Sequence, residues 1–299
     1  MRGIMKYVGS QNERNLIVTA DDFGLTDEIN QGIVIAHQQG ILRSTALLMN
    51  GMATGAALEL RRQNPGLEIG AHLGIVEGYS LLGKKSTLSD DLQYFGQGSV
   101  CLHRGWPLFI AKYLKGQIDL GELEEELDLQ LSRMRSEIGP IAFANGTQHL
   151  HLLPGVLDIV LKLMNKYEIK WLRLPALSRT VPGSMRRIPY NWALRALGYR
   201  ARRRAARNGI GGTKYFAGFD VCGRLDAATV CKILEGMPVG TMELMTHPGL
   251  DCPYLRENLP WGYQTFAWAG ELAALISPAV AEVVARRQIN LIQFKDLTH

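Results

Sequence analysis

The stretch that decides the fold is Leu16-Ile-Val-Thr-Ala-Asp-Asp-Phe-Gly24. Its first five residues are apolar or β-branched, which predicts a strand that ends at the two aspartates and the glycine. Similar runs rich in Ile, Val, Leu and Thr predict six more strands, at 44–49, 69–75, 141–145, 170–174, 241–246 and 289–294. Amphipathic stretches between them predict helices at 27–39, 53–63, 122–137, 155–166, 226–236 and 278–287.

A strand followed by a helix, repeated about seven times, is typical of parallel strands joined by right-handed crossovers. The sequence therefore predicts an α/β fold, as a closed or nearly closed β/α barrel, with a doubly wound sheet as the alternative. No linker divides the chain, so we expect a single domain over residues 1–299, with insertions near 77–116 and 178–212. Insertions that follow the strands of a parallel α/β protein often frame its active site.

The composition is typical of a soluble globular enzyme, with 46% hydrophobic and 20% charged residues. The net charge of +5 is small for 299 residues and does not indicate nucleic-acid binding. None of the four cysteines forms a C-x-x-C pair, so we expect free thiols and no zinc ribbon. The polar N-terminus lacks the apolar core of a secretory signal, and no apolar run reaches the roughly 18 residues of a membrane span. We therefore expect a cytoplasmic protein.

Two adjacent carboxylates, Asp21 and Asp22, stand at the carboxyl end of the first predicted strand, where barrel enzymes place their sites. Neighbouring carboxylates repel each other, so the pair favours a divalent cation or a shared proton. One aspartate could then bind the metal while the other acts as a base. For this motif alone, a solvated turn with a helix-capping aspartate would be the better explanation.

Three histidines follow in or near two other predicted strands. His72 lies between Gly70 and Gly74, whose small size leaves room for a ligand to approach the imidazole. His149 and His151 are two residues apart, so an extended chain would point both to one face, as in many metal sites. Each histidine alone is also explained by a structural role in the core or at the surface.

Arg173 interrupts an apolar strand, and a buried arginine needs a carboxylate partner, so we expect it to orient or neutralise an aspartate. His247 follows the strand 241–246 and could protonate a leaving group. Either residue alone is more often structural. A barrel would bring all of these strand ends to one mouth, and this joint placement predicts an enzyme.

Taken in order, these segments resemble the YdjC-like carbohydrate deacetylase family, which includes the chitooligosaccharide deacetylases and a hopanoid-associated branch. The resemblance covers nearly the whole chain. It runs through ADDFG (20–24), NQGI (30–33), STALLMNG (44–51), GAHLG (70–74), QHLHLLP (148–154), LRLP (172–175), ELMTHPG (243–249) and INLIQFKDL (289–297). The order of ADDFG, H-x-H and HPG is specific, whereas the single pieces are not.

The resemblance implies a distorted (β/α)7-type barrel like that of the polysaccharide deacetylases. It also implies a divalent metal, Mg²⁺ or Zn²⁺, and hydrolysis of an N-acetyl group from an amino sugar. Asp21 would be the general base, with Asp22 and His72 as metal ligands. Arg173 and His247 would support the base or stabilise the oxyanion and the leaving amine. We further expect substrate contacts from Asn50 and Glu243.

The chain departs from the family at one metal-ligand position. The family usually reads D-S-H-x-H-x-H or D-G-H-x-H-x-H, where the first histidine is a ligand, and this chain reads Asn145-Gly146-Thr147-Gln148-His149-Leu150-His151. Thr147 is a poor ligand. Either His149 or His151 takes over, or metal binding is weak, or the activity is lost or altered. We include both histidines in the expected ligand set, beside Asp22 and His72.

The second insertion contains an arginine-rich segment at 186–207 that has no acidic residue. With Trp192, Leu194, Leu197 and Tyr199 it predicts a basic amphipathic helix on an anionic membrane face, which would suit a lipid-linked sugar. A solvated helix with excess charge is the alternative. RNA binding has little support, because no RNA-binding motif accompanies the patch.

The leading hypothesis is therefore a metal-dependent deacetylase whose partner is an acetylated amino sugar or glycolipid. One alternative is a catalytically impaired relative that binds glycans or glycolipids, which Thr147 favours. A second alternative is a metal-dependent hydrolase of another amide or ester. The sugar, its linkage, the metal and the oligomeric state, a homo-oligomer included, stay open.

Overall fold

The computed structural model describes residues 13–90, 99–175, 188–251 and 263–298, together with 253 and 257. Of 188–191 and 264 it describes the backbone alone. Arg186, Arg187, Cys252 and parts of both predicted insertions lie outside the described residues. Cys101, Cys222 and Cys231 are free thiols, as expected.

The strands are β1 (Arg14–Phe23), β2 (Ser44–Leu47), β3 (Glu68–Leu73), β4 (Ser89–Asp90), β5 (Cys101–Leu102), β6 (Ala144–Gly146), β7 (Tyr215–Ala217), β8 (Gly240–Thr246) and β9 (Ile289–Leu291). Seven of them form one parallel sheet in the order β6–β3–β2–β1–β8–β7, with β9 beside β1. The antiparallel pair β4–β5 lies in the first insertion.

The helices are α1 (Asp27–Gln39), α2 (Thr54–Gln63), α3 (Trp106–Leu114), α4 (Leu120–Ile138), α5 (Val156–Lys166), α6 (Ile188–Arg207), α7 (Ala227–Glu235), α8 (Trp268–Leu275) and α9 (Pro278–Arg286). Side chains cap several of them: Thr26 accepts the Ile29 N–H at the start of α1, and Asp119 and Asp226 do the same for α4 and α7. Of the helices in these ranges, none is by itself both long and apolar enough to span a membrane, and the bent pair α8–α9 meets that criterion only when both are taken together.

The chain around Gly211 brings the two edges of the sheet together. Gly211 donates its N–H to the Lys170 carbonyl and accepts the Leu172 N–H, both at 2.9 Å, next to the bridge between Leu172 and β6. A few residues later, β7 pairs with β8 at the opposite edge. The sheet is therefore curled and nearly closed, which confirms the predicted α/β barrel class and gathers the carboxyl ends of the strands at one mouth.

The central strand β1 is buried over nine of its ten residues, as expected for a parallel strand covered on both faces. Leu16, Val18 and Ala20 belong to the large core under the helices, whereas Ile17 belongs to a small second core with Ala46, Phe143 and Phe294. Because side chains alternate along a strand, Ile17 and Asp21 share the face that carries this small core. The core therefore lies beneath the mouth in which Asp21 is placed.

The structure differs from the predicted elements in a few short segments. The predicted strand 170–174 is reduced to two bridged residues, and the strand 289–294 stops at Leu291, before a helical turn at Phe294–Asp296. The sequence did not predict β7, because three apolar residues carry no readable periodicity. It also did not predict α3 or α8.

Candidate active site

Asp21 and Asp22 both reach the mouth because the end of β1 is irregular. In a regular strand, neighbouring side chains point to opposite faces. Here the register with β2 shifts and Asp22 has a left-handed φ of 68°, as in a bulge that re-aims a side chain. Gly24 follows with a φ of 97°, where an added Cβ would lie 2.8 Å from the Leu48 carbonyl oxygen, so this turn requires glycine.

Arg173 is completely buried and binds two carboxylates. Its Nη1 and Nη2 donate to the two oxygens of Asp21 at 2.5 and 2.9 Å, and its Nε donates to Glu243 at 2.8 Å. Burial would raise the pKa of Asp21, but the charges of Arg173 and His72 and the Arg173 hydrogen bonds outweigh it and lower the pKa. Asp21 is therefore ionised.

Glu243 is also completely buried, on the Nε side of the guanidinium. Its expected contact with substrate is therefore not supported. The structure gives Glu243 a positioning role instead, because a carboxylate on Nε fixes the orientation in which Arg173 presents its other two nitrogens to Asp21.

Asn145 connects Asp21 to His72. An ionised Asp21 can only accept, so the Asn145 amide nitrogen donates to it at 2.9 Å, and the amide oxygen lies 2.6 Å from His72 Nδ1. His72 must therefore carry a proton on Nδ1. Burial would lower the pKa of His72, but the hydrogen bond to Asp22 and the charge of Asp21 raise it. In the absence of a cation, these contacts favour a ring that is protonated on both nitrogens.

Asp22 and His72 lie at a spacing that could suit two ligands of one divalent cation. Asp22 Oδ1 lies 3.4 Å from His72 Nε2. Two ligands that each lie roughly 2.0–2.2 Å from an ion are separated by about 3–3.5 Å, so the spacing fits. A cation would replace the Nε2 proton, while Asn145 holds the ring in the ligating tautomer, as hydrogen-bond partners of metal-bound histidines do.

His149 and His151 do not join this pair, so the expected set of four ligands is not assembled. His151 is completely buried with Nε2 3.1 Å from the Arg173 carbonyl oxygen, and the His149 ring lies against Phe216 and Phe219. The segment is a tight helical turn with a left-handed residue at His149, and the one-face rule of an extended strand does not apply to it. No three His, Cys, Asp or Glu side chains in the described ranges are gathered around one point for an ion.

Burial is the main reason why both histidines are neutral. It lowers the pKa of His149 well below its ordinary value, and the charge of Arg173 adds to the effect. It also lowers the pKa of His151, to about 4. The Nδ1 atoms of both rings are buried and have no hydrogen-bond partner among the described residues.

Thr147 has no capacity left for a metal. Its hydroxyl accepts the N–H groups of Ile75 and Val76 at 3.1 and 3.2 Å and donates to the Leu73 carbonyl oxygen at 3.4 Å. Two accepted bonds and one donated bond use everything that a hydroxyl offers. The residue at the family's ligand position therefore pins the loop that follows β3.

The loop after β3 carries Glu77, which contacts Gln148 and Tyr263 from other parts of the chain. None of these three was predicted from the sequence as a site residue. Gln148 Nε2 donates to Glu77 Oε1 at 2.6 Å. The Tyr263 hydroxyl donates to Glu77 Oε2 at 3.1 Å and lies 3.4 Å from Asp22 Oδ1. Burial and the charge of Asp22 raise the pKa of Glu77 well above its ordinary value. An acid directly after an apolar strand was a readable signal for Glu77, whereas nothing in the sequence marks Tyr263.

Asn50 binds the same loop through two hydrogen bonds. Its amide nitrogen donates to the carbonyl oxygens of Glu77 and Tyr79 at 3.0 and 3.1 Å. A side chain at Gly74 or Gly78 would collide with this amide. Asn50 therefore holds the loop in place, and its contact with substrate stays a prediction.

His247 follows β8 and lies beside Cys222 and Glu271. Its backbone N–H donates to Glu271 at 2.6 Å, and its ring nitrogens lie 3.7 and 3.8 Å from Cys222 Sγ. Burial would lower the pKa of His247, but Cys222 and Glu271 raise it. The ring is thus protonated at neutral pH, and its charge helps to lower the pKa of Asp21.

The family model of YdjC-like proteins matches residues 15–286. The chain belongs to this family. It is 31% identical over 315 residues to the human carbohydrate deacetylase, covering 96% of the chain and 92% of that relative. It is 27% identical over 288 residues to the carbohydrate deacetylase of Listeria welshimeri serovar 6b, covering 94% and 99%. The resemblance seen in the motifs is therefore confirmed.

The fold of this YdjC-like protein is also similar to that of an Enterococcus faecalis V583 protein proposed to cleave cellobiose phosphate. The TM-score is 0.69 over 95% of this chain and 98% of that one, at 19% sequence identity. At this identity the similarity shows a shared fold.

We predict that Arg173→Met lowers the free energy of unfolding by about 3–5 kcal/mol, because it leaves two buried carboxylates without their cation. Urea denaturation measures this loss. The same substitution at Arg204, whose ion pair with Asp158 is at the surface, is expected to cost no more than about 1 kcal/mol. Equal losses in the two variants would show that the buried guanidinium is not a structural centre.

Proposed function

We propose that this YdjC-like protein is a metal-dependent deacetylase that hydrolyses an N-acetyl group of an amino sugar. The observation that carries the proposal is the buried chain of contacts from Arg173 through Asp21, Asn145 and His72 to Asp22. It offers an ionised base next to a carboxylate–imidazole pair suited to a cation. The carbohydrate deacetylases that are 27–31% identical to the chain support the reaction class.

Asp22 and His72 would hold the divalent cation, which supplies polarisation of the acetyl carbonyl and acidification of bound water. Asp21 is the candidate base. Its Oδ1 accepts from Asn145 and Arg173, whereas its Oδ2 accepts from Arg173 alone among the described residues, which leaves a lone pair for a proton. That lone pair can take a proton from the attacking water, and the Arg173 fork fixes its direction.

His247 is the candidate proton donor to the leaving amine. Its protonated ring is close enough to Asp21 and Asp22 for their charges to interact. The backbone bond to Glu271 fixes the position of the residue at the end of β8. An amine leaves far more readily once it is protonated, so a cationic imidazole in this place serves the second half of the reaction.

A glycan-binding relative without hydrolytic activity is the second candidate. The fully engaged hydroxyl of Thr147, at the position of the family's ligand histidine, favours it. Acetate release by the wild-type protein would decide against this candidate. Release only from esters or amides that are not sugars would favour a hydrolase of another substrate class.

We predict that Asp21→Asn lowers acetate release at least about 100-fold, because an amide has no lone pair basic enough to take the proton. The assay would measure acetate from a panel of N-acetylated oligosaccharides with added divalent metal. Asp158→Asn, on the exposed side of α5, is the matched control and should keep the wild-type rate. Equal rates for the wild type and Asp21→Asn would refute this mechanism.

We also propose that the exposed face of α6 binds an anionic membrane surface. The helix packs Leu194, Ala201 and Ala205 against the body of the protein, and Leu197 is half-buried. The two leucines that were expected to face a membrane therefore pack largely against the protein itself. This corrects the prediction that they form the membrane-facing side of the helix.

The opposite face of α6 supports the proposal by its charge and its aromatic residues. Trp192 and Tyr199 are 70% and 59% exposed. Between and beyond them lie five exposed arginines; Arg204 pairs with Asp158, and the other four are Arg195, Arg200, Arg203 and Arg207. Cationic side chains attract anionic lipid headgroups, and Trp and Tyr favour the membrane interface.

We predict that the protein floats with vesicles containing anionic phospholipid and not with neutral vesicles. Replacing Arg195, Arg200 and Arg203 by Gln should remove most of this binding, because each cation near the surface contributes about 1 kcal/mol. The control variant replaces three exposed lysines elsewhere, Lys84, Lys115 and Lys232, by Gln. Flotation that is absent, or equally reduced in both variants, would contradict the proposal.

A further inference from the structure

We propose that Cys222 is a reactive thiol beside the candidate proton donor His247, and that hydroperoxides oxidise it with His247 as the acid. Cys222 Sγ lies 3.7 and 3.8 Å from the two ring nitrogens of His247. The sulfur chemistry stands apart from the proposed deacetylase function, and only its effect on acetate release rests on that function.

The two side chains differ in exposure in the way that a reactive pair requires. Cys222 lies in a turn after β7 and is half-buried, so the residue is partly open to solvent. His247 is only 7% exposed. Because both ring nitrogens lie at nearly the same distance from Sγ, a proton on either one is close to the sulfur.

Glu271 supports a positive charge on His247. Its Oε2 accepts the His247 backbone N–H at 2.6 Å and lies 3.9 Å from the ring Nδ1. Burial would lower the pKa of His247, but Cys222 and Glu271 raise it to about 10. Thiolates are the nucleophilic form of cysteine, and a neighbouring imidazolium is one of the groups that stabilise them.

Phe266 holds the pair in place. Its ring centroid lies 5.1 Å from that of His247, and a Cβ added at Gly223 would lie 2.2 Å from the same ring. Gly223 has a φ of 76°, and its carbonyl oxygen accepts the Ala267 N–H at 2.8 Å. The turn that carries Cys222 is therefore fixed against the segment that covers His247. An apolar cover also strengthens the attraction between opposite charges.

The reaction with hydrogen peroxide uses both members of the pair. The Cys222 thiolate attacks one peroxide oxygen, so an S–O bond forms while the O–O bond breaks. The sulfur is oxidised to a sulfenic acid and the peroxide is reduced. The hydroxide that leaves takes the proton of His247 and becomes water.

Oxidation would remove the charge that the leaving amine needs. After the reaction His247 is a neutral imidazole, and the sulfur no longer carries the negative charge that helps to keep the ring protonated. A neutral imidazole cannot donate a proton to the amine. A sulfenic acid is reversible, because it condenses with a thiol to a disulfide that further thiol reduces.

The test is treatment of the full chain with hydrogen peroxide and dimedone, which traps sulfenic acids, followed by peptide mass spectrometry. Cys231 on α7 is the internal control, because it is also a free and half-buried thiol. We expect Cys222 to be trapped at least about tenfold faster than Cys231.

His247→Asn should lower the trapping rate of Cys222 at least about tenfold, because it removes both the cation and the acid. The matched control is His37→Asn, which changes a half-buried ring that binds the Leu42 carbonyl oxygen, and it should keep the wild-type rate. A smaller difference between Cys222 and Cys231, or a smaller fall in His247→Asn, overturns the proposal. If His247→Asn does not fold, the comparison of the two cysteines in the wild type decides.

The effect on function is measured as acetate release by the same samples. Peroxide should remove most of the release by the wild type, and dithiothreitol should restore it. Cys222→Ser should keep its own untreated rate under peroxide, and an equal loss in this variant would overturn the inhibitory role. Trapping is measured without turnover, so a protein that releases no acetate would leave the sulfur result standing.

Discussion

The buried guanidinium of Arg173 is the interaction on which the rest of the site depends. A cation with no solvent exposure must be neutralised and fully hydrogen-bonded, and Asp21 and Glu243 do this from two different strands. The pairing ionises Asp21 and makes it a pure acceptor. That in turn orients the Asn145 amide, which fixes the proton of His72 on Nδ1 and turns Nε2 toward Asp22.

Asn145 and Thr147 are the two departures from the family motif, and the structure gives each a definite role. An aspartate at 145 could not donate to Asp21 while ionised, whereas the amide donates to Asp21 and accepts from His72. Thr147 stands where the family has a ligand histidine, and its hydroxyl instead holds the loop after β3. The two changes leave the Arg173–Asp21 ion pair and the contact between His72 and Asp22 in place.

Much of this could be predicted from the sequence, because it depends on local patterns. The strand and helix periodicities specify a parallel barrel, and residues at strand ends, such as Asp21, His72 and Arg173, then converge without further information. His149 and His151 were misjudged because the chain turns there, where an extended strand was expected. Tyr263 could not be predicted, since its partner Glu77 is 186 residues away and both depend on loop conformation.

The most direct test of the central claim is the protonation state of His72, read from the ring nitrogens in ¹⁵N-histidine NMR spectra with and without Zn²⁺. We expect a ring protonated on both nitrogens at neutral pH in the metal-free protein. Saturating Zn²⁺ should then give a neutral ring that keeps its proton on Nδ1 and binds the metal through Nε2. A neutral ring protonated on Nε2, or a ring that Zn²⁺ leaves unchanged, would show that Asn145 and Asp21 do not set the protonation of His72.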